Sequence, residues 1–66
     1  MSEAAEKILS AAEELFAAKG FAAVSVRDIA TRADVNKALV FYYYDNKAGL
    51  LNAVLGQYYE SHAAAL

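Results

Sequence analysis

Two helix-start signals stand close together in the middle of this chain, and they restrict its fold more than any other feature. The first is "SVRD", residues 25–28. The Ser25 hydroxyl can accept from the amide of Asp28, and the Asp28 carboxylate can reach back to the amide of Ser25, which makes a capping box. The second is Asn36 in "ADVN", a residue type whose side chain caps helix N-termini. Between them there is room for one short helix of about nine residues, ending near Ala33, and then a turn. Val26, Ile29, Ala30 and Ala33 fall on one apolar stripe of that helix.

Asp34 falls where a chain turning between two helices often needs a positive φ, which Asp tolerates better than most residues. Val35 is apolar inside the turn and is expected to plug the angle between the helices. Asn36 then opens a third helix, Lys37 to about Tyr44. Two helices joined by so short a turn form a helix-turn-helix, here about residues 25–44.

The flanks are helical as well. The first helix is expected from about Ala4 to Lys19, with Ser2 as N-cap and Glu3 and Glu6 near the positive end of its dipole. Ile8, Leu9, Ala12, Leu15 and Phe16 mark its buried face. Gly20 stops it, and Phe21 is expected to return to the core. Asn46 can cap a fourth helix from Lys47 onward, with Leu50, Leu51, Val54, Leu55 and Tyr58 as its apolar stripe. No stop signal ends that helix, and Gly56 inside it costs only about 1 kcal/mol of propensity. With no proline and sixteen alanines, the fold class is all-α. The expected architecture is a three-helix helix-turn-helix bundle, homeodomain-like, plus the start of a fourth, linking helix.

Sixty-six residues make one domain at most. Such a chain buries only about 60% of its unfolded surface, so packing must be good or a partner must help. There is no cysteine, which fits a reducing cytosol. No apolar run approaches the roughly 20 residues that span a bilayer, and no signal-peptide pattern opens the chain. A soluble, cytoplasmic protein without membrane contact is the expectation. His62 is alone and reads as a surface residue, and Glu13 and Glu14 read as a solvated face. With no nucleophile–base pairing, no phosphate-cradling glycine loop and no metal-type cluster, neither an enzyme nor a cofactor is expected.

The formal charge of −2 argues weakly against a nucleic-acid partner, but its distribution points the other way. Residues 1–18 carry a net −3 and residues 19–49 a net +2, from Lys19, Arg27, Arg32, Lys37 and Lys47 against Asp28, Asp34 and Asp45. Cations are therefore concentrated around the helix-turn-helix. There too stand four consecutive aromatic residues, Phe41 to Tyr44, bracketed by Lys37 and Lys47. A helix cannot bury four successive side chains on one face. Val40 and Tyr44, four apart, are expected to pack inward. Tyr42 and Tyr43 are then the candidates for a surface that faces phosphates or bases; the bland alternative is core or surface filler. Phe41, one turn after Lys37, lies either along such a surface or against the fourth helix.

Taken together, "AAEELFAAKGF", "SVRDIA", "ADV", the aromatic run and "DNKAGLL" resemble the N-terminal DNA-binding domain of the tetracycline-repressor (TetR) family of transcription regulators. The likeness covers roughly Ile8 to Leu55. It implies a helix-turn-helix whose third helix enters the major groove of double-stranded DNA. It also implies a fourth helix leading to a C-terminal domain, absent from this chain, for dimerisation and small-molecule binding. The implied function is sequence-specific transcriptional regulation, as a ligand-responsive repressor acting as a homodimer on a palindromic operator. The chain departs from the common pattern at Asp34, where glycine is frequent, at Asn36, where serine is, at Phe41, where tyrosine is, and at Tyr44, where phenylalanine is. The last suggests a partly wet site for the Tyr44 hydroxyl.

The resemblance assigns roles to named residues. Lys37 and Lys47 become phosphate contacts, against the ordinary reading as solvated lysines. Arg27 becomes a base or backbone contact, the alternative being an ion pair with Asp28 or Asp34. Ser25 caps its helix and offers its hydroxyl or the helix amides to a phosphate. Asn36 is a polar candidate beside Lys37. Ala38 and Leu39 carry no hydrogen-bonding side chain but can touch a thymine methyl. Sparse polar readout leaves room for recognition through DNA shape. The competing function is a small helical interaction module or scaffold that keeps the fold without binding DNA.

Overall fold

The structure, a computed structural model, describes residues 2–65, with side chains described for residues 2–57; Tyr58 and His62 lie outside the described side chains. Helix α1 spans Glu3–Lys19, α2 Val26–Ala33, α3 Lys37–Tyr44 and α4 Lys47–Ala65, and a single 3-10 turn, Phe21–Ala23, links α1 to α2. The described residues contain no strand. The all-α helix-turn-helix architecture expected from the residues is therefore what forms.

Helix α1 is the platform against which the other three helices pack. Ser2 caps it, its Oγ accepting from the amide of Ala5 at 3.1 Å. At its far end Gly20 takes φ 87°, which spares a Cβ the strain of that region, and donates to the Phe16 carbonyl at 2.9 Å. Ala5, Ile8, Leu9, Ala11 and Ala12 form its buried face. They meet Val24, Ile29, Ala30, Ala33, Val40 and Leu50 in one core.

The capping box forms as the residues dictate: the amide of Asp28 donates to Ser25 Oγ at 3.0 Å, and that of Ser25 to Asp28 Oδ2 at 2.9 Å. At the other end of α2, Asp34 adopts the left-handed conformation, φ 58° and ψ 49°. The amide of Asp34 donates to the Thr31 carbonyl at 3.2 Å, and that of Val35 to the Ala30 carbonyl at 3.0 Å. This crossed pair is a Schellman motif, and Val35 packs its side chain against the core as the motif's apolar contact.

The joint between α3 and α4 is tighter than the residues suggest. Asp45 takes φ 71° and ψ −55°, and the amide of Asn46 donates to the Tyr44 carbonyl at 2.7 Å. That is a γ-turn of the rare, strained hand. Asn46 then caps α4 as expected, accepting from the amide of Gly49 at 2.7 Å.

Two apolar residues expected in the core lie further out. Phe21 is 36% exposed and lies at the rim of the core, its ring 5.4 Å from that of Phe16. The 3-10 turn turns it outward, and Val24, three residues on, fills the core in its place. Leu55 is 43% exposed, whereas Leu50, on the first turn of α4, is fully buried.

Candidate nucleic-acid interface

Helix α3 is anchored by one face only. Val40 is fully buried, and Leu39 and Tyr44 are half-buried against the core. Lys37, Ala38 and Phe41 are exposed, Tyr42 is 79% exposed and Tyr43 37%. The 3.6-residue period explains this division. With Val40 at the centre of the buried face, Leu39 sits about 100° away at its border. Leu39 is thus partly enlisted in packing, not a free surface contact like Ala38.

The two tyrosines nearest the C-terminal end of α3 are tied to α1. Tyr44 Oη donates to the Ala5 carbonyl at 2.8 Å, so the hydroxyl read as wet is satisfied inside the protein. Burial, reinforced by Glu6 and Tyr43, pushes the Tyr44 hydroxyl above its ordinary pKa. Tyr43 Oη accepts from Ser2 Oγ at 2.8 Å, and its ring meets that of Tyr42 edge-on at 5.0 Å. Tyr42 is left as the most exposed ring of the run.

Among the cations, Arg27 and Lys37 are exposed and make no ion pair among the described residues. Arg27 pairs with neither Asp28 nor Asp34. The cation of α2 that is paired is Arg32, whose guanidinium donates to Glu14 at 2.6 Å. Lys47 is half-buried instead of solvent-facing, and its Nζ donates to the carbonyls of Phe21 at 2.9 Å and Val24 at 2.8 Å.

The N-terminal tips of α2 and α3 differ in what they leave free. At α2 the box occupies the amides of Ser25 and Asp28, so those of Val26 and Arg27 are the donors without a partner among the described residues. Asp28 holds a negative charge at that tip. The hydrogen bond from the Ser25 amide, then that with its hydroxyl, keeps the carboxyl below its ordinary pKa. At α3, Asn36 Oδ1 accepts from the amide of Ala38 at 2.8 Å, and its side-chain NH₂ has no hydrogen-bond partner among the described residues. No acidic residue lies in the first turn of α3. A short helix with an unpaired lysine at its start and a mixed apolar and aromatic free face has the chemistry to enter a DNA groove.

Residues 8–54 match the family of bacterial regulatory proteins named for tetR. The chain belongs to that family. It is 43% identical over 61 residues, 92% of its length, to the probable HTH-type transcriptional regulator YttP of Bacillus subtilis, covering 30% of that protein. It is 53% identical over 53 residues, 80% of its length, to the HTH-type transcriptional repressor Rv3405c of Mycobacterium tuberculosis, covering 28% of it. With the HTH-type transcriptional regulator TtgR of Pseudomonas putida it shares 35% over 60 residues, 91% of the chain and 29% of the relative. The chain thus spans less than a third of the length of these relatives.

The tetR family is one of DNA-binding transcriptional regulators, and this tetR-family chain carries its helix-turn-helix in α2 and α3. Among the described residues no group of side chains could hold a metal ion, and no helix is long and apolar enough to cross a membrane. Two long-range contacts of this tetR-family fold are among the features that escaped the reading of its residues. Ser2, read only as a cap, also holds Tyr43, a residue 41 positions away for which no local pattern exists. Lys47, read as a phosphate contact, has its nearest partners 23 and 26 positions back.

Proposed function

We propose that this chain is the DNA-binding head of a ligand-responsive transcriptional repressor, with α3 lying in the major groove of double-stranded DNA. The observation that carries the reading is the free face of α3: Lys37, Ala38, Phe41 and Tyr42 are exposed while Val40 pins the opposite side. Lys37 contacts phosphate, and Ala38 meets the base edges, with Leu39 at the margin. Asn36 stands beside them with its amide group. Ser25, the open amides after it and Arg27 bind the backbone or a base edge from the tip of α2. Phe41, Tyr42 and Tyr43 line the strand. The regulator acts as a homodimer in the cytoplasm, through a C-terminal effector and dimerisation domain outside this chain. A single head offers one half-site, so the chain alone binds weakly.

Selection of bound sequences from a random DNA pool, followed by salt titration of the winners, tests the reading. Binding should fall with a log–log slope of about −0.9 per phosphate contacted. Lys37→Ala should weaken every sequence alike and flatten that slope, and Arg27→Ala should change preference at particular bases. The acidic total charge favours a second reading, a helical interaction module that does not bind DNA. An affinity indifferent to salt, or a pool that yields no consensus, would decide for it.

A further inference from the structure

Lys47 stands where three segments meet. It is the first residue of α4, and its ammonium reaches the connection between α1 and α2. Two of its three donors are taken by the carbonyls of Phe21 and Val24, at 2.9 and 2.8 Å. Its charge also lies over the Phe21 ring, 4.2 Å from the centroid. The Phe21 carbonyl accepts from the Val24 amide as well, at 3.3 Å, so the ammonium closes the 3-10 turn on itself. The neighbouring residues give this position leverage. Val24 is buried to 1% exposure in the core, and Ser25 after it is the cap of α2.

We propose that Lys47 is a positioning residue for DNA recognition and not a phosphate ligand: it fixes the segment from which Ser25 and Arg27 project, relative to α4. This deepens the DNA-binding reading above and rests on it. Charge-assisted hydrogen bonds of this length are strong, and an ammonium that left for a phosphate would give up both of them. The two roles differ in what the unbound protein shows. A phosphate ligand does nothing until DNA arrives, whereas a staple holds the tip of α2 in its absence.

The test compares the wild-type chain with Lys47→Met, Phe21→Leu, the double variant and Lys37→Met. Affinity for a duplex recovered from the random pool is measured across salt concentrations, below the melting temperature of every variant. Lys47→Met keeps the stem and removes the donors. It should shift the free-state amide resonances of residues 24–27 and weaken binding roughly tenfold at each salt concentration with the wild-type slope. Lys37→Met should instead flatten the slope by about 0.9. Phe21→Leu removes only the ring under the ammonium and leaves both carbonyl bonds, so Lys47→Met in that background should still shift the amide resonances of residues 24–27 and weaken binding with the wild-type slope. The proposal is overturned if Lys47→Met flattens the slope by about 0.9, which is the behaviour of a phosphate ligand. It is equally overturned if melting falls while affinity is unchanged, which is a structural role alone. Wild-type chain that shows no salt-dependent binding removes the DNA reading itself, and that failure is visible before any variant is made.

Discussion

The carbonyl oxygen of Tyr44 occupies the place where a side chain on Gly49 would begin: a Cβ there would clash with it. The γ-turn at Asp45 folds that carbonyl over the first turn of α4. On helix propensity alone, Gly49→Ala would stabilise α4 by about 1 kcal/mol. The clash opposes this, and it wins because the obstructing atom is backbone. Gly49→Ala should lower the unfolding free energy by about 2 kcal/mol, read as a shift in the urea midpoint. A higher midpoint would mean that the joint between α3 and α4 yields freely.

Asp45 bears the strain of the same joint. A non-glycine residue at φ 71° and ψ −55° is held there by its surroundings. Replacing it with glycine removes the steric part of that strain, at the cost of some unfolded-state entropy. Asp45→Gly should therefore raise stability by about 1 kcal/mol in thermal melts, and Asp45→Val should lower it by at least as much.

Tyr44→Phe removes the hydroxyl that donates to Ala5 and leaves the ring in place. The loss should be about 1 kcal/mol, since the Ala5 carbonyl is also within reach of its own helix. The pH dependence has a definite sign. The folded-state pKa of Tyr44 is raised, so its contribution is complete below the ordinary value of 10.0 and is lost as pH rises through the folded value. Melting curves of wild type and Tyr44→Phe should stand apart at pH 8 and converge at strongly alkaline pH. A gap that persists there would show that the hydroxyl is not what separates them.

For Asp28 the sign is opposite. Its folded pKa lies below the ordinary 3.8, so its contribution is present above that value and disappears as pH falls through the folded one. Asp28→Ala should melt below wild type at pH 6, and the difference should shrink as the solution is acidified past about pH 4. Ser25→Ala breaks the same box and should show the same convergence. If the gap for Asp28→Ala widens in acid, the capping box is not its cause.

These cases show what could be read from the residues. The capping box of Ser25 and Asp28, the Asn36 and Asn46 caps and the positive φ of Asp34 all depend on residues within a few positions of one another, and all were legible. So was the division of α3, because Val40 and its neighbours obey one helical period. The inward packing of Tyr44 was legible too, but the hydrogen-bond partners of Lys47, Tyr43 and Tyr44 stand 23 to 41 positions away, and residue type says nothing of them. Leu55 shows a related limit: periodicity marks an apolar face but not what covers it. The γ-turn at Asp45 was missed because Asp followed by Asn reads as an ordinary cap, and only the glycine at position 49 records the close approach.

The hydrogen bond between Ser2 and Tyr43 has a practical bearing on any laboratory handling of this molecule. Whatever peptide is fused ahead of Ser2 will emerge alongside the aromatic flank of α3. An affinity tag placed there would crowd the groove-facing surface and imitate a loss of binding, so tags belong at the opposite terminus.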